Sequence, residues 1–343
     1  MKRVLRILLP SAGMLILILW PQRAVSSAAD AVLLCLRTVV PSLFPFFVLS
    51  GLLSGALIGI RNRSAACLGR LCRMQPGTES ILVIGLLGGY PTGAQITAQA
   101  WRDGHLSQDQ ARMMLGFCSN AGPAFLFGIC GSLFSNPCMP WLLWGIHIAS
   151  AVLTARSLPD APSNGDILPS AAGLSLPEAL DRALKNIARV CGWVVLFRIL
   201  MDLLGRWLTD LPETLSVIVS GVLELTNGCM MLENVGPLWL RFYLCSLFLA
   251  FGGICVTLQT VSVAGELGIR YYLRGKLLQT ALTGIFSLVI LLIFFPSDCK
   301  PANYMVISLL VVHIFAYILL KSKKTVAFRR ALLYNHKKQE SWT

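Results

Sequence analysis

Apolar residues dominate this chain in long blocks, and polar residues gather between the blocks. Eight blocks are long enough to cross a bilayer as helices: about Val4–Trp20, Ala31–Gly59, Arg112–Phe134, Trp141–Ala155, Ile187–Leu208, Trp239–Gly265, Leu277–Pro296 and Tyr304–Leu320. Two further blocks, Ser80–Ala100 and Thr214–Leu232, carry turn residues at their centres: Gly88-Gly-Tyr-Pro-Thr-Gly-Ala94 in one, Leu223-Glu-Leu-Thr-Asn-Gly-Cys229 in the other. Both read as hairpins that enter the membrane and turn back. Each is followed by a long block broken in its middle, at Asn120-Ala-Gly-Pro123 and at Phe251-Gly-Gly253. Backbone leaves helical geometry at membrane depth only where protein or a water-filled cavity satisfies its polar groups. Paired interruptions at matching places in two halves therefore point to a transporter's binding site. The expected fold is all-α and polytopic, with about eight transmembrane helices and two re-entrant hairpins.

Composition agrees with this. The 343 residues are 55% hydrophobic and 13% charged, far below the roughly one quarter charged of a soluble domain. The net charge of +13 does not signal nucleic acid, because the basic residues stand at helix ends rather than interleaved with aromatics. With the N-terminus inside, 23 of the 29 Lys and Arg fall in cytoplasmic segments, Arg270, Arg274 and Lys276 among them, and 4 in outer segments; this is a positive-inside pattern. The basic tail Lys321–Lys338 is expected to hold anionic headgroups. Eleven cysteines are scattered, most of them in apolar runs, and read as small buried hydrophobes, with no metal set and no cofactor expected.

The charge pattern makes the first hairpin enter from the cytoplasm and the second from outside, so two units (about 31–134 and 187–265) read as inverted copies. The expected organisation is an N-terminal helix over 1–30, uncleaved, and a first repeat over 31–156 containing the hairpin 80–100. A polar linker over 157–178 leads to a second repeat over 179–275 with the hairpin 214–232. Two C-terminal helices over 276–320 and the tail 321–343 complete the chain.

The hairpin turns and breaks would present helix N-termini, whose free N–H groups suit an anion. The candidate binding residues are Thr92, Gly93, Gln95, Asn120, Gly122, Thr226, Asn227, Gly228, Gly253 and Gln259. Glycines there let a ligand approach backbone; each Thr can instead bond its own helix carbonyl. Ionisable groups at depth are functional candidates by default. Glu224 is a candidate for ion coupling. Arg198 is a candidate anion contact, although its i,i+4 spacing to Asp202 favours a structural pair. His147 and His313 read as packed histidines. Pro41 and Pro45 are expected to kink the second span around the first hairpin. No catalytic constellation is evident and no enzyme is expected.

The motifs Val40-Pro-Ser-Leu-Phe-Pro-Phe-Phe47, Gly88-Gly-Tyr-Pro-Thr-Gly-Ala94 and Phe117-Cys-Ser-Asn-Ala-Gly-Pro-Ala-Phe125, in this order, resemble the YlbJ-type sporulation integral membrane proteins, which contain the nucleoside recognition or gate domain. Glu224-Leu-Thr-Asn-Gly228 is similar to the second gate repeat of that group. The resemblance spans about residues 25–290. It implies export of dipicolinic acid, a small anion, across the outer forespore membrane of a spore-forming bacterium. A nucleoside or cation permease of the gate type, or a non-transporting sporulation scaffold, are the alternatives. A homo-oligomer is left open.

Overall fold

The structure, a computed structural model, describes residues 2–57, 63–159, 161, 174–208 and 211–294. The expected span Tyr304–Leu320 and the basic tail lie outside the described residues. Within them every regular element is a helix. Four helical stretches are long and apolar enough to cross a membrane: Pro21–Ser54, Cys138–Ser157, Leu238–Leu267 and Arg270–Ile293. Large apolar side chains such as Leu33, Leu49, Trp141, Leu196 and Leu292 stand exposed on the outside, as they do on a surface that faces lipid rather than water.

Helix α1 (Lys2–Leu19) leads into α2 (Pro21–Leu34), a π-helical turn over Cys35–Val39, and α3 (Val40–Leu57). The wide turn falls just before Pro41, which has no N–H to return to the carbonyl four residues back. The second expected span is therefore one long helix from Pro21, with the distortion where proline predicts it. Helix α4 (Arg63–Leu71) precedes the first hairpin, α5 (Glu79–Gly88) and α6 (Thr92–Arg102), whose turn holds the cis Tyr90–Pro91 bond.

The expected third span is not one helix. It consists of α7 (Gln108–Leu115), a non-helical stretch over 116–122, α8 (Pro123–Gly128) and a 3-10 turn over Cys130–Leu133. Ser107 caps α7 with Gln110 in a reciprocal capping box. Pro123 opens α8 at the position where its missing N–H costs nothing. Helix α9 (Cys138–Ser157) follows, then α10 (Leu176–Leu208), which lies along α2 and α3. The second hairpin is α11 (Glu213–Leu223) and α12 (Leu225–Met231). The second broken span is α13 (Leu238–Phe251) and α14 (Gly253–Ala264), split where Gly252 and Gly253 take φ of 78° and 79°. Such angles favour glycine. Helix α15 (Arg270–Phe294) packs between α9 and α13.

Close backbone crossings at glycine lock these pieces together. A Cβ on Gly85 of α5 or Gly93 of α6 would stand 2.0 or 1.9 Å from the Cys118 carbonyl oxygen. The non-helical stretch thus runs through a groove made by the first hairpin. In the second hairpin, a Cβ on Gly228 would stand 2.1 Å from the Gly221 Cα. On α15, Gly275 has no room for a Cβ against Gly116, which presses the next residue, Lys276, into the interior.

Candidate functional site

Both hairpin turns touch a helix break. Gly89 in the first turn abuts Gly122 in the first break; a Cβ on Gly122 would lie 2.8 Å from the Gly89 nitrogen. Gly253 in the second break faces the Leu223 carbonyl and the Leu225 nitrogen, with 3.3 Å left for a Cβ. At the centre, Tyr90 ties the first turn to the second broken span. The Tyr90 hydroxyl donates to the Leu249 carbonyl at 3.1 Å, near the end of α13, and its ring lies against Gly252.

Between these contacts lies a small central cavity of about 30 Å³. It is bordered by Gly89 and Tyr90 of one turn, Ala121 and Gly122 of one break, Glu224, Leu225 and Thr226 of the other turn, and Gln259 on α14. Val39 of the π-helical turn, Leu43 of α3, Phe125 of α8, two valines of α10 and Val256 of α14 complete it. A space of this size holds about one or two waters. A larger cleft of about 170 Å³ lies between α3, α6 and α10, edged by Ser50, Thr92, Gln95, Asp103, His105, Arg182 and Asn186.

The expected binding residues therefore separate into groups. Gly122, Thr226, Gln259 and Glu224 meet at the central cavity; Thr92 and Gln95 border the cleft. Gly93, Gly228 and Gly253 serve as backbone crossings. Thr92, Thr97 and Thr257 each give their hydroxyl to the carbonyl four residues back, Gly88, Gly93 and Gly253. Asn120 is fully buried beside the cavity rather than bordering it.

Glu224 changes the expected electrostatics of the second turn. Its carboxylate accepts N–H bonds from Thr226 at 2.9 Å and Asn227 at 2.6 Å. The start of α12 is thus capped by the chain's own anion, and the Asn227–Gly228 terminus is not free for a ligand. Arg198 corrects a second expectation. Its guanidinium donates to Asn227 Oδ1 at 3.2 Å instead of pairing with Asp202, because α10 presents it to the second hairpin. Asn227 Nδ2 has no hydrogen-bond partner among the described residues.

The largest correction concerns Lys276, counted above among cytoplasmic charges at a helix start. Helix α15 begins earlier, at Arg270, so Lys276 lies two turns inside it and is wholly buried. Its ammonium donates to the Tyr90 hydroxyl at 3.0 Å and to Gln279 Oε1 at 2.7 Å. Gln279 in turn donates to Asn120 Oδ1 at 2.9 Å, and Asn120 to the Phe117 carbonyl at 2.7 Å. His147 Nε2 accepts the Ala121 N–H at 3.1 Å. Side chains of α9 and α15 thereby partner the Ala121 N–H and the Asn120 amide of the first break. Sequence reading missed Lys276 and Gln279 because their block begins with Arg270 and Arg274 and looks like a loop. The available signal was Gly275 beside a lysine followed three residues on by glutamine, on one helix face.

The thiols of Cys130, Cys229 and Cys245, all buried, lie within 4.8 Å of one another. They come from three separate elements. Soft thiolate donors of this kind suit thiophilic ions, and no histidine or carboxylate joins them among the described residues.

The chain is 25% identical to sporulation integral membrane protein YlbJ of Bacillus subtilis (strain 168), over an alignment of 339 residues that covers 84% of this chain and 83% of the relative. No family model matches the chain. No solved structure matches it.

Proposed function

Since the chain belongs to the YlbJ-type family of sporulation integral membrane proteins, we propose that it is a transporter for a small anionic metabolite, with dipicolinic acid as the cargo that the family resemblance implies. The outer forespore membrane is the site of action that follows. The single observation that carries the reading is the meeting of both hairpin turns, the first helix break and helix α14 at one cavity, at Tyr90, Gly122, Glu224 and Gln259. A packed structural bundle has no need of non-helical backbone at its centre, where every freed polar group must find a partner.

In this reading the first hairpin is reached from the cytoplasm and the second from the opposite face, as the positive-inside pattern directs. The cleft beside Thr92 and Gln95 is the cytoplasmic vestibule, since Asp103, His105 and Arg182 at its rim fall in cytoplasmic segments. The central cavity is far below the roughly 300 Å³ of a small-molecule site, so the conformation is one in which the passage is closed at its centre. Cargo enters when the turns separate from the breaks, a movement of packed elements of the kind that gates transporters.

A cation permease is the second reading, and Glu224 is the observation that favours it, because a buried carboxylate at the cavity suits a cation or proton. Flux in reconstituted vesicles separates the two. The anion reading predicts that protein-containing vesicles release trapped dipicolinate faster than empty ones, with or without an imposed pH gradient. Leakage equal to that of empty vesicles under every gradient contradicts it; flux of nucleosides or cations alone favours the second reading.

A further inference from the structure

Among the described residues, Lys276 makes no ion pair. Its side chain is 0% exposed, and its two hydrogen-bond partners, Tyr90 and Gln279, are neutral. The ammonium stands 4.9 Å from the Tyr90 ring centre and 5.9 Å from that of Tyr272, which adds a weak attraction to aromatic faces. The ion pairs among the described residues, Arg102–Glu266, Arg112–Asp109 and Lys185–Asp181, all lie elsewhere. An ammonium held away from water is costly unless an anion accompanies it. Helix α15 nevertheless brings this one inward, next to the crossing where Gly275 has no room for a Cβ against Gly116.

We propose that Lys276 is the counter-charge for a carboxylate of the cargo, and that Tyr90 is the latch that covers it. The proposal rests on the central cavity being the cargo site. Tyr90 borders that cavity and Lys276 lies directly behind it. The phenol hydroxyl accepts from Lys276 and donates to the Leu249 carbonyl at 3.1 Å, with Ala250 at 3.4 Å. Those carbonyls belong to the last turn of α13, where the break at Gly252 removes the next helical donors. A carboxylate arriving in the cavity offers Lys276 a full negative charge in place of a neutral acceptor, which is what a buried ammonium lacks. The exchange frees Tyr90 from Lys276 and leaves its hydroxyl held by the Leu249 and Ala250 carbonyls alone. Glu224 borders the same cavity from the other hairpin turn and directs a carboxylate toward the Lys276 side by repulsion. The ligand class is thus small carboxylates, in preference to neutral nucleosides.

The test uses the purified full-length protein and thermal unfolding with two probes, pyridine-2,6-dicarboxylate and its neutral diamide. The dicarboxylate is expected to raise the unfolding temperature of the wild type, and the diamide to leave it unchanged. Lys276→Met is expected to unfold at or above the wild-type temperature without ligand, since it loses a buried charge, and to lose about tenfold or more in dicarboxylate affinity. Tyr90→Phe, which removes the latch and keeps the ammonium, is expected to bind at least as tightly as wild type. If Lys276→Met does not fold, Lys276→Gln makes the same comparison with a neutral hydrogen-bonding side chain. Equal dicarboxylate shifts in wild type and the Lys276 variants, equal shifts from the diamide, or no wild-type shift overturn the proposal. Binding that depends on Lys276 in a protein without vesicle flux removes the transport reading alone. Flux undiminished in Lys276→Met keeps transport and overturns the role of Lys276.

Discussion

The hydroxyl of Tyr90 lies 3.1 Å from the carbonyl of Leu249, 159 positions along the chain. This one bond joins the turn of the first hairpin to the broken span of the second half. Every other feature of the candidate site is arranged around it: the glycine contacts on either side, the cavity beneath, and the polar chain from Lys276 to Asn120 behind.

The glycine crossings set the first prediction. Gly93→Ala places a methyl 1.9 Å from the Cys118 carbonyl oxygen, and backbone cannot yield as a flexible side chain does. The cost is about 1–3 kcal/mol or more, as for overpacked cores. Gly145→Ala on α9, which meets nothing within 4 Å, is the control. Thermal unfolding in detergent should show a clear drop for Gly93→Ala and none for Gly145→Ala. Equal behaviour of the two would mean that the hairpin does not clasp the break.

His147 sets the second. Its Nε2 is the partner of the buried Ala121 N–H, so His147→Leu leaves that donor unsatisfied at a cost of about 1–3 kcal/mol. Reduced stability together with faster proteolysis near the first break is the expected result, read by unfolding temperature and fragment mapping. An unchanged unfolding temperature would remove His147 from the support of the break.

The hairpins and breaks were legible in the sequence because glycine, proline and asparagine interrupt otherwise uniform apolar runs, and the turn at Tyr90–Pro91 and the splits at Gly122 and Gly252 fall where those interruptions predict. The tertiary partners were not legible. Periodicity carries no information on which helix lies behind Tyr90, so the positions of Lys276 and Gln279 depend on α15 packing against Gly116. Charge counting treats every lysine near a helix start as a topology marker, and that rule failed for the one lysine that a glycine crossing draws inward. The same limit hid the convergence of Cys130, Cys229 and Cys245, and made Arg198 pair on paper with its helical neighbour rather than with Asn227 across the interface.

Glu224 separates structure from transport. Glu224→Ala removes the cap of α12 and leaves two N–H groups without partners, a loss of about 0.5–2 kcal/mol. Glu224→Gln keeps one acceptor oxygen for them. The Gln variant should retain most of the stability; if Glu224 carries a coupling ion, its flux loses dependence on an imposed cation or proton gradient. Unaltered gradient dependence in a folded Gln variant would confine Glu224 to capping.

Asn120 and Gln279 form the test of the buried chain. A double-mutant cycle with Asn120→Leu and Gln279→Leu should return a coupling of about 0.5–3 kcal/mol in thermal or denaturant unfolding, the range for residues in one hydrogen-bond network. Additive losses would show that the 2.9 Å bond between them contributes nothing.

The central claim is that cargo occupies the cavity bordered by Gln259. It is tested most directly by ligand protection in a cysteine-less background, with Gln259→Cys as the single thiol and Asn136→Cys, in an exposed loop, as the control. Pyridine-2,6-dicarboxylate is predicted to slow modification of the thiol at position 259 by a membrane-permeant reagent and to leave the rate at position 136 unchanged. Equal rates at position 259 with and without saturating dicarboxylate would contradict the account.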